Sequence, residues 1–113
     1  MLLIIDDDIA VQTSLSLLLR KEGFEVKTAS NPEDALEVMD DQTPELAILD
    51  LNFSIETSGS EGLRTLRRIR SRFPSVPVIL ITGWGSIDLA VEGMKAGAKD
   101  FITKPWQNDY LLQ

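Results

Sequence analysis

Cysteine and histidine are both absent from the 113 residues. Without cysteine there is no disulfide, no thiolate nucleophile and no Cys-ligated zinc. Without histidine there is no triad of the usual kind, no imidazole ligand and no phosphocarrier nitrogen. Positive charge is scarce as well: 11 Lys+Arg against 18 Asp+Glu leave a formal charge of −7. Phosphates and anionic lipids attract the opposite sign, so nucleic acid and membrane surfaces are excluded as the main partners of this chain. The apolar runs at residues 2–5 and 78–81 are far too short to span a bilayer, and no export signal is visible. The cytoplasm is the expected compartment. Any chemistry must therefore run on carboxylates, hydroxyls, lysine and backbone.

What remains is the composition of one folded domain, 43% apolar and 26% charged, expected to fill residues 1–113. Leu2, Leu3, Ile4 and Ile5 form a wholly apolar run that stops at Asp6, Asp7 and Asp8, as a strand buried on both faces would. Ile9, Val11, Leu15, Leu18 and Leu19 then recur at helical spacing, with Asp8 as N-cap and Gly23 just past the end. A strand follows at residues 24–28. Asn31, Pro32, Glu33 and Asp34 start a second helix that runs to about Met39. The alternation continues with a strand at 45–51 and a helix carrying Leu63, Leu66, Ile69 and Phe73. A strand at 76–81 closes on Thr82 and Gly83, and a helix capped by Ser86 places Ile87, Leu89, Ala90, Val91 and Met94 on an apolar face. A last strand spans 101–103. Strands alternating with helices on short loops predict a parallel sheet with helices on both faces, an α/β doubly wound fold.

In such a sheet ligands bind beyond the carboxyl ends of the strands. Asp6 and Asp7 end the first strand, Asp50 the third and Thr82 the fourth, while Lys104 follows the fifth. Acids serving only solubility would scatter along helix faces instead. Two carboxylates ~5 Å apart at an effective dielectric of ~20 repel by roughly 3 kcal/mol. A proton, Lys104 or a divalent cation must relieve that. Hard oxygen donors without His or Cys suit Mg²⁺.

These residues resemble the receiver domain of bacterial two-component response regulators. The resemblance runs through residues 4–8, 44–51, 81–83 and 96–105, four elements in order at strand ends. It implies a flavodoxin-like sheet of order 2-1-3-4-5 and names Asp50 as phosphoacceptor. Asp7, the Asp50 carboxylate and the Asn52 carbonyl would hold Mg²⁺, with Asp6 acting largely through water. Thr82 and Lys104 would bond the phosphoryl oxygens, and Thr82 and Phe101 would form the switch. The missing histidine would come from a sensor histidine kinase. The output would be a fused domain regulating transcription, and the region around 85–91 resembles receivers joined to ATPase-type activators; a phosphorylation-dependent homodimer fits the same family. A Mg²⁺-dependent phosphohydrolase with an aspartyl-phosphate, or a receiver-like module that is never phosphorylated, are the competing readings.

Three features stand apart. The loop after Asp50 lacks the family's usual proline and carries extra residues between Ser54 and Ser60. Arg64, Arg67, Arg68, Arg70 and Arg72 gather on the third helix, which reads as a solvated face or, less economically, a surface for an acidic partner. Trp84 and Trp106 lie beside site residues and are expected to report on them by fluorescence. Residues 109–113 supply barely a first turn of the fifth helix that receivers need, so the chain is expected to be a fragment of a longer regulator.

Overall fold

The computed structural model describes residues 1–51, 60–82 and 87–103. Five strands and four helices alternate: β1 (Leu2–Ile5), α1 (Ile9–Lys21), β2 (Val26–Ala29), α2 (Pro32–Asp41), β3 (Leu46–Asp50), α3 (Ser60–Arg72), β4 (Val78–Thr82), α4 (Ile87–Lys95) and β5 (Asp100–Thr103). The sheet is parallel throughout, in the order β2-β1-β3-β4-β5. This is the flavodoxin-like order expected from the sequence. The fifth helix expected from the resemblance would fall on residues outside those described.

Period-two alternation splits each apolar strand between two cores. Leu3, Ile5, Ala47, Leu49, Val78 and Leu80 pack with Ala35, Leu36 and Met39 of α2 and with Leu63, Leu66 and Ile69 of α3. Leu2, Ile4, Ile48, Ile81 and Ile102 face Leu15 and Leu19 of α1. A continuous apolar run is thus two interleaved faces, each covered by helix. Doubly buried strands need no polar position until the strand ends, which is why the first polar residues mark the edge where a site can form.

Helix ends follow the caps read from the sequence. The Asp8 carboxylate accepts from the Ala10 N–H at 2.9 Å, and Asn31 caps α2 by accepting from Asp34 N–H at 2.8 Å. At the end of α1, the Gly23 N–H bonds the Arg20 carbonyl and the Phe24 N–H bonds the Leu19 carbonyl, a Schellman closure with Gly23 at φ 94°. That closure explains why β2 begins at Val26 and not at Phe24: the Phe24 amide is already committed to the helix. Likewise, β4 begins at Val78 because Val76 N–H closes a turn onto the Phe73 carbonyl.

The apolar face expected of α4 is only partly buried. Ala90 is fully covered, and Gly93 lies so close to β4 that a Cβ there would meet the Leu80 side chain. Val91 and Met94 are exposed.

Candidate functional site

The register brings the expected acids to one edge. Ile5 pairs with Leu49 and Asp50 with Ile81, so the residue after β1, the end of β3 and the end of β4 lie side by side. Carboxylate oxygens of Asp6, Asp7 and Asp50 all lie within 4.8 Å of one another. Asp6 and Asp50 are 1% and 3% exposed, whereas Asp7 opens to solvent. Two buried acids and one exposed acid at this spacing form a cluster that opens to solvent at Asp7. Three hard oxygen donors match the ligand chemistry of a small divalent cation, and the acidic cluster can hold a metal.

Backbone and side-chain bonds pin the cluster. The Asp6 N–H donates to the Ala29 carbonyl at 3.0 Å, and the Asp8 N–H donates to Asp6 Oδ1 at 2.9 Å. Asp8 itself serves as the helix cap and stands outside the cluster, as expected. Beyond Asp50, the Leu51 N–H continues the ladder to the Ile81 carbonyl at 2.9 Å. The N-terminal turn of α3 presses on this point: a Cβ at Gly62 would stand 2.5 Å from the Leu51 carbonyl oxygen.

Thr82 is completely buried, one residue past the register partner of Asp50, and its Oγ1 has no hydrogen-bond partner among the described residues. A buried hydroxyl without a partner costs about 1–3 kcal/mol, so the resting protein keeps it at a loss. This hydroxyl lies at the same sheet edge as an acidic cluster that could bind a metal.

Phe101 is half-buried, pairs in register with Leu80 and packs against the larger core. Asn52, Lys104, Trp84 and Trp106, and the loop 54–59, lie outside the described residues. Of the five arginines on α3, three act within the chain. Arg72 makes a bidentate pair with Asp40 at 2.7 and 2.9 Å, Arg68 reaches Glu33 at 3.8 Å, and Arg70 donates to the Pro74 and Val76 carbonyls. They link α3 to α2 and close its own C-terminal turn while remaining at the surface.

One polar residue escaped the sequence reading. Gln12 on α1 is buried, and its amide nitrogen donates to the Asp6 carbonyl at 2.5 Å, the Ser30 hydroxyl at 3.0 Å and the Ala29 carbonyl at 3.3 Å. Nothing local marks it, because two of the three acceptors lie at the C-terminal end of β2, 17 and 18 residues along the chain.

Comparison with known proteins gives the family. The model of the response regulator receiver domain matches residues 2–113. The chain belongs to that family. The receiver is 38% identical over 110 residues to an NtrX-like response regulator of Rickettsia typhi, covering 97% of this chain and 23% of that protein. It is 36% identical to the transcriptional regulatory protein ZraR of Escherichia coli, again over 97% of this chain and 24% of the relative. It therefore spans about a quarter of the length of these relatives. Among solved structures, the receiver domain of NtrX from Brucella abortus superposes with a TM-score of 0.93 at 34% identity, over 99% of this chain and 92% of that one. A receiver domain from Bacteroides fragilis is 42% identical with a TM-score of 0.88, over 98% and 88% of the two chains. The fold and the signalling class read from the strand-end residues both stand. No described helix is long and apolar enough to cross a membrane.

Proposed function

We propose that this receiver accepts a phosphoryl group on Asp50 from a phosphohistidine of a sensor histidine kinase, and that the modification switches a fused output domain that regulates transcription. The observation that carries the reading is the meeting of Asp6, Asp7 and Asp50 within 4.8 Å at the sheet edge. In the transfer, a carboxylate oxygen of Asp50 forms the new O–P bond while the P–N bond to the donor imidazole breaks, leaving an acyl phosphate and a neutral histidine.

Phosphoryl transfer asks mainly for positioning and for neutralising charge on the equatorial oxygens. Asp7 and the Asp50 carboxylate would hold Mg²⁺ with the Asn52 carbonyl, and Asp6 would act through water. Bound there, Mg²⁺ supplies the positive charge that offsets the carboxylates and the incoming phosphoryl oxygens. Asp50 is the nucleophile, held at the end of β3 by its pairing with Ile81 of β4. Thr82 donates its unused hydroxyl to a phosphoryl oxygen, and Lys104 pairs with another. The chain catalyses only its own modification and its reversal, and turns over no separate substrate. It works in the cytoplasm and grips neither nucleic acid nor lipid by itself; a phosphorylation-dependent homodimer is one route by which the output would be engaged.

A phosphohydrolase built on the same acids normally carries a second acid two residues after its nucleophile, and Asn52 occupies that position. Mass spectrometry after incubation with acetyl phosphate and Mg²⁺ separates the readings. A single phosphoryl adduct on the wild type, absent from Asp50→Asn, is expected. Steady release of many phosphates per chain would favour a hydrolase, and an unmodified wild type would overturn phosphorylation altogether.

A further inference from the structure

We infer that Gln12 is a positioning residue for the metal-binding acids, setting Mg²⁺ affinity through the Asp6–Asp7 peptide without touching the ion. The inference rests on the reading that Asp6, Asp7 and Asp50 hold Mg²⁺. Asp6 lies between two fixed neighbours: its N–H is taken by the Ala29 carbonyl, and its Oδ1 receives the Asp8 N–H. Neither of those two bonds engages the carbonyl in the plane of the next peptide. The Asp6 carbonyl belongs to that plane, and in a trans peptide the Asp7 N–H points the opposite way. Whatever holds the Asp6 carbonyl therefore also sets the direction in which the Asp7 Cα leaves, and with it the one exposed carboxylate of the cluster.

The group that holds it is the Gln12 amide, at 2.5 Å, the shortest of its three bonds. The arm is built to stay in place. Gln12 is 7% exposed, and its backbone N–H bonds the Asp8 carbonyl at 3.0 Å in the first turn of α1. Its amide also donates to Ser30 Oγ and the Ala29 carbonyl, so the ends of β1 and β2 share one clamp. One NH₂ group supplies two hydrogens to three acceptors, and the longest contact, to Ala29, is the shared one. Such outer contacts orient the groups that meet a metal, and losing one typically weakens binding by about 10–100-fold.

The test is a Mg²⁺ titration followed by amide shifts of Asp8 and Leu51, on wild type, Asp7→Asn, Gln12→Met, Gln12→Asn and Leu15→Val. Gln12→Met keeps the length of the arm and removes the donor; Gln12→Asn keeps an amide but draws it back by a methylene. Leu15 is buried on α1 in the other core and serves as a control for plain loss of stability. Gln12→Met is expected to bind Mg²⁺ about tenfold more weakly. Gln12→Asn should fall between it and the wild type, and Leu15→Val should bind as the wild type does. The Asp7 and Asp8 amides of Gln12→Met should also be displaced before any metal is added, a readout independent of loading. Wild-type affinity in both Gln12 variants, or equal weakening in Leu15→Val, would overturn the positioning role while leaving the metal site intact. If the wild type itself does not bind Mg²⁺, the metal reading fails and this inference fails with it. Should Gln12→Met not fold, Gln12→Asn decides alone, with wild-type affinity counting against the role.

Discussion

Thr82 carries an unusual burden for a single side chain. Its hydroxyl is completely buried, and nothing among the described residues satisfies it. A valine has nearly the same shape and no polar atom, so Thr82→Val relieves the desolvation loss and should raise the stability of the unphosphorylated protein by about 1 kcal/mol. The same change deletes the donor offered to a phosphoryl group. Urea denaturation and phosphorylation-dependent amide shifts, measured on the same variant, should thus move in opposite senses: greater stability and a smaller response. A destabilised Thr82→Val would show that the hydroxyl already has a partner at rest. Legibility at this scale divides by whether the partner is near in the chain. Asp6, Asp7, Asp50 and Thr82 were readable because an apolar run ending in a polar residue marks a strand's carboxyl end, and the sheet does the rest. Gln12 was not, because a glutamine in an amphipathic helix looks solvated until the fold delivers Ala29 and Ser30 to it.

Two glycines at helix ends are required for different reasons, and exchanging each for alanine separates them. Gly23 sits at φ 94° with open space where a Cβ would go. Gly23→Ala therefore meets only the backbone cost of a left-handed residue, roughly 1–2 kcal/mol. Gly62 lies in an ordinary helical turn, where alanine alone would be favoured. Its Cβ, however, would stand 2.5 Å from the Leu51 carbonyl oxygen and 2.9 Å from the Leu51 Cα. Backbone cannot swing aside as a side chain does, so Gly62→Ala must push α3 off the end of β3 and is expected to cost about 2 kcal/mol net. The two variants should differ most in phosphorylation by acetyl phosphate. Gly23→Ala should react at the wild-type rate, whereas Gly62→Ala, which shifts the residue next to Asp50, should react several-fold more slowly. Equal rates would show that the α3 contact has no bearing on the nucleophile. Element boundaries teach a related lesson. Alternation at residues 24–28 correctly signalled a strand, but the amide of Phe24 was already bonded to Leu19, and that competition for one N–H shifted the start of β2 to Val26.

Across the whole molecule, the anchoring of the helices is uneven, and the unevenness has a direction. α2 and α3 bury three large or well-fitted side chains each in the main core and are tied together by Arg72 with Asp40 and Arg68 with Glu33. Those exposed pairs contribute at most about 1 kcal/mol each, so burial does most of the holding. Among the described side chains of the nine-residue α4, Ala90 is buried while Val91 and Met94 are exposed, and the helix approaches β4 through Gly93 over Leu80. Regions with few buried apolar contacts open at lower free energy than the core. β4, under α4, ends in Thr82, and β5, paired with β4, sets Phe101 opposite Leu80. A pull on Thr82 thus acts on β4, against which α4 packs and with which β5 pairs. Phosphorylation shifts such an equilibrium only through contacts that differ between the two states, and in the proposed mechanism Thr82 would supply one. Hydrogen exchange read by mass spectrometry should show α4 exchanging faster than α2 and α3 in the unmodified protein. On phosphorylation, the changes should concentrate in α4 and β5. In Asp50→Asn treated with the same donor they should be absent, and in Thr82→Val they should shrink while the adduct still forms. Uniform protection of all four helices, or a response spread evenly over α1 to α3, would refute this route from the acidic cluster to the α4 surface.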